Sequence, residues 1–142
     1  MSNLTILTRR VGDVVIVDLN GEVTLGTTNR QLHTSVHQLV KEGNLQIILN
    51  LANVKRIDSS GLGEIVAGFS TLRAAGGSLK LINIPERVND LMTITKLYTV
   101  FDIYETEADG VNSFDGPQLE GDFEVRAKEN VTPIRKRAGS IS

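Results

Sequence analysis

Residues 46–63 read QIILNLANVKRIDSSGLG, and this stretch decides the fold of the chain. Its first part, Gln46–Leu51, is apolar enough for a buried strand, and the residues after the turn have the apolar spacing of an amphipathic helix. Between them, Asp58, Ser59 and Ser60 place a carboxylate and two hydroxyls where that helix begins. A helix start leaves backbone N–H groups unpaired and carries partial positive charge. It therefore suits a capping side chain or an added phosphate.

The length and composition of the chain are those of one globular domain followed by a tail. The 142 residues suffice for a domain with its own core, and 40% of them are hydrophobic. Aromatic residues make up 4%, with no tryptophan, which argues against stacking on single-stranded nucleic acid. A net charge of −2 argues against general binding to nucleic acid or anionic membranes. The absence of cysteine excludes disulfides, thiolate chemistry and cysteine-ligated metals.

The sequence predicts a cytoplasmic protein with neither a membrane nor a nucleic acid as its partner. No apolar run approaches the roughly 20 residues that cross a bilayer. The first residues, Met1–Ile6, have neither the positive charge nor the long apolar segment of a secretory signal.

Strands and helices alternate along the chain. The segments between the later strands have apolar residues at helical spacing. The predicted strands are Leu4–Arg10, Val14–Asn20, Gln46–Leu51, Leu79–Ile84 and Thr99–Tyr104. This alternation predicts an α/β fold with a mixed, mostly parallel β-sheet, an antiparallel N-terminal hairpin and helices packed on the sheet.

The helix boundaries carry their own signals. Residues 21–26 have the composition of a turn, and Thr27 or Thr28 is a candidate N-cap for the first helix. Pro85 is expected in the first turn of the third helix, where its missing N–H is tolerated.

The last part of the chain differs from the rest. After about Glu107 apolar residues thin out, and glycine, acidic residues, asparagine and proline dominate. We predict one domain over residues 1–115, with a short helix within 108–114, and a disordered tail over residues 116–142. The basic residues near its end are typical of a solvated chain terminus.

The chain lacks residues that three kinds of site require: a nucleotide-binding loop, a serine hydrolase site and a histidine metal site. No third glycine follows Gly61 and Gly63 at dinucleotide-loop spacing, and no Gly-Lys-Ser/Thr is present, so we predict no nucleotide cofactor. The chain lacks the Gly-x-Ser-x-Gly elbow of a serine hydrolase. It also offers no evident base for Ser59 or Ser60, because its two histidines, His33 and His37, lie on the first helix. These two histidines lack a third ligand for a metal ion. We therefore expect neither catalysis nor a metal site.

The turn at Asp58–Gly61 allows two interpretations from its residues alone. In the first, Asp58 and Ser59 or Ser60 cap the helix, which is worth about 1 kcal/mol. In the second, a serine also receives a phosphate. Local chemistry does not decide between them.

At these residues the chain resembles the STAS domains, and specifically the bacterial anti-sigma factor antagonists, or anti-anti-sigma factors. The resemblance covers about residues 4–107. Its landmarks are LNGE at 19–22, DSSGLG at 58–63, GGSLKL at 76–81 and ITKLYTVF at 94–101.

The resemblance implies a regulatory module. It implies binding to an anti-sigma factor that is also a serine kinase of the GHKL type, and release of a sigma factor on binding. It further implies phosphorylation of Ser60, in preference to Ser59, and its reversal by a phosphatase. The implied partner-binding residues are Thr24, Asp58, Ser59, Ser60, Gly61, Leu62 and Gly63. Such a domain is a ligand and a substrate, not an enzyme.

One position departs from the family pattern. Many relatives carry an aspartate shortly after the Gly-Glu that follows the second strand, where this chain has Thr24. A second carboxylate near Ser60 is therefore missing, which leaves recognition by a kinase open. The alternative function is a STAS scaffold or adaptor that is not phosphorylated, within a signalling or transport assembly.

Overall fold

The structure, a computed structural model, describes residues 3–114. The tail predicted over residues 116–142 lies outside the described residues. A 3-10 turn at Leu97–Thr99 precedes the last strand. The other elements are β1 (Leu4–Val11), β2 (Val14–Val23), α1 (Thr27–Lys41), β3 (Gln46–Ile57), α2 (Ser59–Ala74), β4 (Ser78–Ile82), α3 (Glu86–Thr95), β5 (Asp102–Tyr104) and α4 (Glu107–Asn112).

Within residues 3–114, five strands form one sheet in the order β1-β2-β3-β4-β5. The hairpin of β1 and β2 is antiparallel, with Val11 opposite Val14, and every other neighbouring pair is parallel. The predicted mixed sheet with an N-terminal hairpin is therefore confirmed. Because β2 and β3 are parallel, the helices that follow them, α1 and α2, begin at the same edge of the sheet.

The apolar core joins one face of the sheet to α1, α2 and α3. Its fully buried side chains include Leu32, Ile47, Leu49, Leu51, Leu62, Ile65, Leu72, Val88 and Met92. The helices α1 and α2 approach closely at Gly68, where an added Cβ would lie 3.3 Å from Cγ1 of Val36. This contact lies near the middle of both helices and sets how closely α1 and α2 pack.

The strands β2 and β3 extend further than the sequence predicts. Their predicted ends were Asn20 and Leu51, but they continue to Val23 and Ile57, which pair with each other. The glycine and polar residues that suggested a turn are instead accommodated by two register shifts in the β2–β3 ladder. The extension carries the end of β2 to the beginning of α2.

Three smaller expectations are also wrong. The last strand begins at Asp102 rather than Thr99, because residues 97–99 form the 3-10 turn. Pro85 is the N-cap residue of α3 and not part of its first turn. The N-cap of α1 is Gly26, without a capping side chain, and the Thr28 hydroxyl instead bonds back to the backbone of Thr24.

Candidate functional site

The predicted site lies where the end of β2 meets the start of α2. The N–H of Asp58 donates to the Val23 carbonyl oxygen at 3.3 Å. Gly61 packs directly against the same carbonyl, and a Cβ on this residue would overlap it. The absence of a side chain at position 61 is therefore what lets the helix start against the strand.

Asp58 is the N-cap of α2 and connects it to the β2–α1 loop. Its Oδ1 accepts from the Gly61 N–H at 2.9 Å and from the Ser60 hydroxyl at 2.6 Å, and its Oδ2 accepts from the Leu25 N–H at 3.0 Å. Burial opposes ionisation of this carboxyl, but the hydrogen bonds from the Ser60 hydroxyl and the backbone N–H groups outweigh it and hold its pKa below the usual value. Asp58 is therefore a stable anion at neutral pH.

Ser60 has a hydrogen-bond partner on each side. Its hydroxyl donates to Asp58 and accepts from Nδ2 of Asn29 on α1, at 3.0 Å. Its side chain is half-buried, whereas Ser59 is exposed. Ser60 thus lies in the first turn of α2, as the sequence predicts, but it is held at the junction of two helices and does not simply face solvent.

The other predicted partner-binding residues differ in exposure. Gly63 is exposed, and nothing lies within 4 Å of a Cβ placed on it. Thr24, Gly61 and Leu62 are buried, with Thr24 only 5% exposed. The buried residues shape the site from below, so the surface that another protein would meet comes from the exposed ones.

Two residues of the site were missed by sequence reasoning. Asn29 contacts Ser60, and Leu25, which is 80% exposed, donates its N–H to Asp58. A signal for Asn29 was present, since it lies three positions before Leu32 and seven before Val36, on the inward face of α1. Leu25 carried no such signal, because its position depends on where β2 ends.

The two histidines lie further along the groove between α1 and α2. His33 Nδ1 is 2.6 Å from Oε2 of Glu64, and the His33 and His37 rings stack at 3.9 Å. In the described part of the chain, no cluster of three potential ligands would hold a metal ion. These histidines join the two helices, and neither hydrogen-bonds to Ser60.

Replacing Asp58 with asparagine should lower the free energy of unfolding by about 1–2 kcal/mol at neutral pH, because the cap loses its charge and its fit to three donors. The pKa of Asp58 is lower in the folded chain than in the unfolded chain. Its contribution is therefore present above about pH 4 and is lost as the pH falls through the folded pKa.

Urea unfolding of the wild type and of Asp58→Asn at several pH values down to about pH 3 measures this effect. The difference in free energy of unfolding between the wild type and Asp58→Asn should decrease as the pH falls. The variant Asp90→Asn, at an exposed aspartate of α3, is the control. A gap that stays constant with pH would contradict the role assigned to the carboxylate.

The sequence is similar to a known domain family and to characterised relatives. The sequence profile of the STAS domain matches residues 5–110, which include α1 to α3 and all five strands except the first residue of β1. The anti-sigma-B factor antagonist of Bacillus subtilis is 32% identical over 110 residues, covering 77% of this chain and 98% of that protein. Within residues 3–114, no helix is long and apolar enough to span a membrane.

Solved structures share the same fold. The unphosphorylated anti-sigma factor antagonist SpoIIAA superimposes with a TM-score of 0.63 at 21% identity, covering 80% of this chain and all of that one. The phosphorylated form of the Bacillus protein SpoIIAA superimposes with a TM-score of 0.61 at 20% identity, covering 78% of this chain and 99% of that one.

Proposed function

Since this chain belongs to the STAS domain family and is a relative of the bacterial anti-sigma factor antagonists, we propose that it binds an anti-sigma factor and thereby releases a sigma factor. The anti-sigma factor is a serine kinase of the GHKL type that phosphorylates Ser60, and a phosphatase removes the phosphate. The chain is the ligand and the substrate in this cycle and is not an enzyme. All of these steps take place in the cytoplasm.

The observation that carries the proposal is the hydrogen bond of the Ser60 hydroxyl to Asp58 at the edge of an exposed surface. Two exposed residues, Ser59 and Gly63, lie close to Ser60 in the sequence of α2. A third, Leu25, is linked to it through Asp58, which accepts the Leu25 N–H. A kinase that docks on these residues approaches the Ser60 hydroxyl at the start of α2.

A phosphate on Ser60 changes the charge of this surface. It adds about −1.5 to −2 charge beside the Asp58 carboxylate and removes the hydroxyl proton that the carboxylate accepts. Backbone N–H groups of a helix start tolerate an anion, so the fold survives. A docked partner, however, would have to bury two neighbouring negative charges, which is costly unless it supplies a cation. The phosphate therefore weakens the complex and not the domain.

In the transfer itself, the bond between the γ-phosphorus of ATP and its bridging oxygen breaks, and Ser60 Oγ forms the new bond to phosphorus. ADP leaves, and the hydroxyl proton passes to a base of the kinase. Support for such a cycle comes from SpoIIAA, which is known in unphosphorylated and phosphorylated forms.

Phosphate mapping tests the proposal. The untagged protein is purified with the ATP-binding protein that accompanies it, incubated with ATP and analysed by peptide mass spectrometry. We expect one phosphate on Ser60, its loss in Ser60→Ala and its retention in Ser59→Ala. Phosphate on Ser59 alone, or on neither serine, would contradict the assignment.

A second candidate is a STAS scaffold or adaptor that is not phosphorylated, in a signalling or transport assembly. Two features favour it: the half-buried, doubly hydrogen-bonded state of Ser60, and the uncharged Thr24 directly after β2, where many relatives carry an aspartate. Stable binding of the accompanying protein without any phosphate incorporation would select this candidate.

A further inference from the structure

We propose that Asn29 is the residue that positions the Ser60 hydroxyl for phosphoryl transfer and then hydrogen-bonds to the attached phosphate. This inference rests on the proposed phosphorylation of Ser60. Asn29 lies in the first turn of α1, and its Nδ2 donates to Ser60 Oγ at 3.0 Å. It is the side-chain donor that the described residues offer to this oxygen.

The amide of Asn29 is poorly explained by stability. Its Oδ1 is buried and has no hydrogen-bond partner within residues 3–114. A buried acceptor without a partner is costly, and a leucine of similar size would avoid that cost. The one hydrogen bond that the amide makes with the described residues is the bond from its nitrogen to the Ser60 hydroxyl.

The two partners of Ser60 have different consequences once phosphate is attached. Asp58 accepts the hydroxyl proton at 2.6 Å, but it repels a phosphate because both are anions. Asn29 is neutral and donates, so it attracts the phosphate oxygens as well as the hydroxyl oxygen. Together they direct the phosphate away from Asp58 and toward α1.

Before transfer, the same pair restricts rotation of the Ser60 side chain. The hydroxyl proton points to Asp58, and the donor of Asn29 occupies one lone pair of the oxygen. The other lone pair is then presented in one direction. A fixed direction of the attacking oxygen raises the rate of transfer without changing how tightly the kinase binds the domain.

The first test needs no kinase. Phosphoserine is incorporated at position 60 during translation, and the second pKa of its phosphate is measured by phosphorus NMR titration. Asn29→Leu should raise this pKa by about half a unit, because a donor favours the dianion. The control Asn89→Leu, at an exposed asparagine in an early turn of α3, should leave it unchanged. The same titration midpoint with and without Asn29 would overturn the inference.

The second test separates rate from binding. With the accompanying kinase and ATP, Asn29→Leu should lower kcat for phosphorylation about tenfold and leave KM nearly unchanged. An increase in KM alone, or no change in kcat, would count against a positioning role. Thermal unfolding should place the variant at or above the wild type, since an unpaired acceptor is removed, and Asn29→Ala replaces it if the leucine does not fit.

These tests distinguish two kinds of failure. If the wild type accepts no phosphate on Ser60, the proposed function fails, and the NMR titration still measures whether Asn29 contacts a phosphate there. If the wild type is phosphorylated but neither the pKa nor kcat depends on Asn29, the inference alone fails.

Discussion

Replacing Gly61 with alanine should lower the free energy of unfolding by about 3 kcal/mol, one of the largest effects of any single methyl group in this chain. The new Cβ would overlap the Val23 carbonyl oxygen and lie 2.9 Å from Cγ1 of Ile57. The obstruction is backbone, and that carbonyl also accepts the N–H of Asp58. Relief therefore requires α2 to move away from the end of β2.

Gly63→Ala is the matched control, two residues further along the same helix. Nothing lies within 4 Å of a Cβ placed there. Alanine is favoured over glycine within a helix, so this variant should be about 0.5–1 kcal/mol more stable than the wild type. Urea unfolding of both variants measures the difference, and a similar change in both would show that the contact with Val23 does not constrain the site.

Replacing Ser60 with aspartate should weaken binding to the proposed anti-sigma factor partner at least 100-fold, which corresponds to about 3 kcal/mol. The new carboxylate cannot donate to Asp58 and places a second negative charge beside it. The cost falls on the complex because both charges lose water when the partner docks. Titration calorimetry with the purified partner measures the loss.

An exposed serine of α2 outside the proposed docking surface supplies the comparison for this variant. Ser70 lies ten residues after Ser60, so Ser70→Asp adds a charge away from Asp58 and should leave binding unchanged. Ser60→Ala should bind like the wild type, because it adds no charge. Unfolding temperatures of all three variants control for loss of fold. Equal affinities of Ser60→Asp and Ser60→Ala would refute the electrostatic switch.

Much of the fold was predictable because it depends on local patterns. Alternating apolar strands and helices predicted the mixed sheet and its hairpin, and the buried residues of α2 follow the predicted spacing. The errors occurred where tertiary pairing overrides local composition. Gly21 and its neighbours resemble a turn, but the ladder between β2 and β3 holds them in an extended strand up to Val23.

The residues of the candidate site within the 58–61 motif were predictable, whereas those from other parts of the chain were not. Asp58, Ser60 and Gly61 lie within four residues, and their hydrogen bonds belong to one helix start, so the motif alone indicates them. Asn29 bonds to the Ser60 side chain from 31 residues away, and Leu25 bonds to the Asp58 side chain from 33 residues away. The apolar spacing of α1 places Asn29 on its inward face, but only the packing of α1 against α2 decides that Asn29 meets Ser60.

The sequence by itself determined the order of strands and helices along the chain and the place where α2 begins, since each depends on side chains within a few residues. Only the tertiary structure decided that Ser60 is held between Asp58 and Asn29 and that Leu25 is exposed beside them. The physical reason is that these contacts form only after the core has packed. Hydrophobic burial sets the distance between elements, and that distance selects the polar partners.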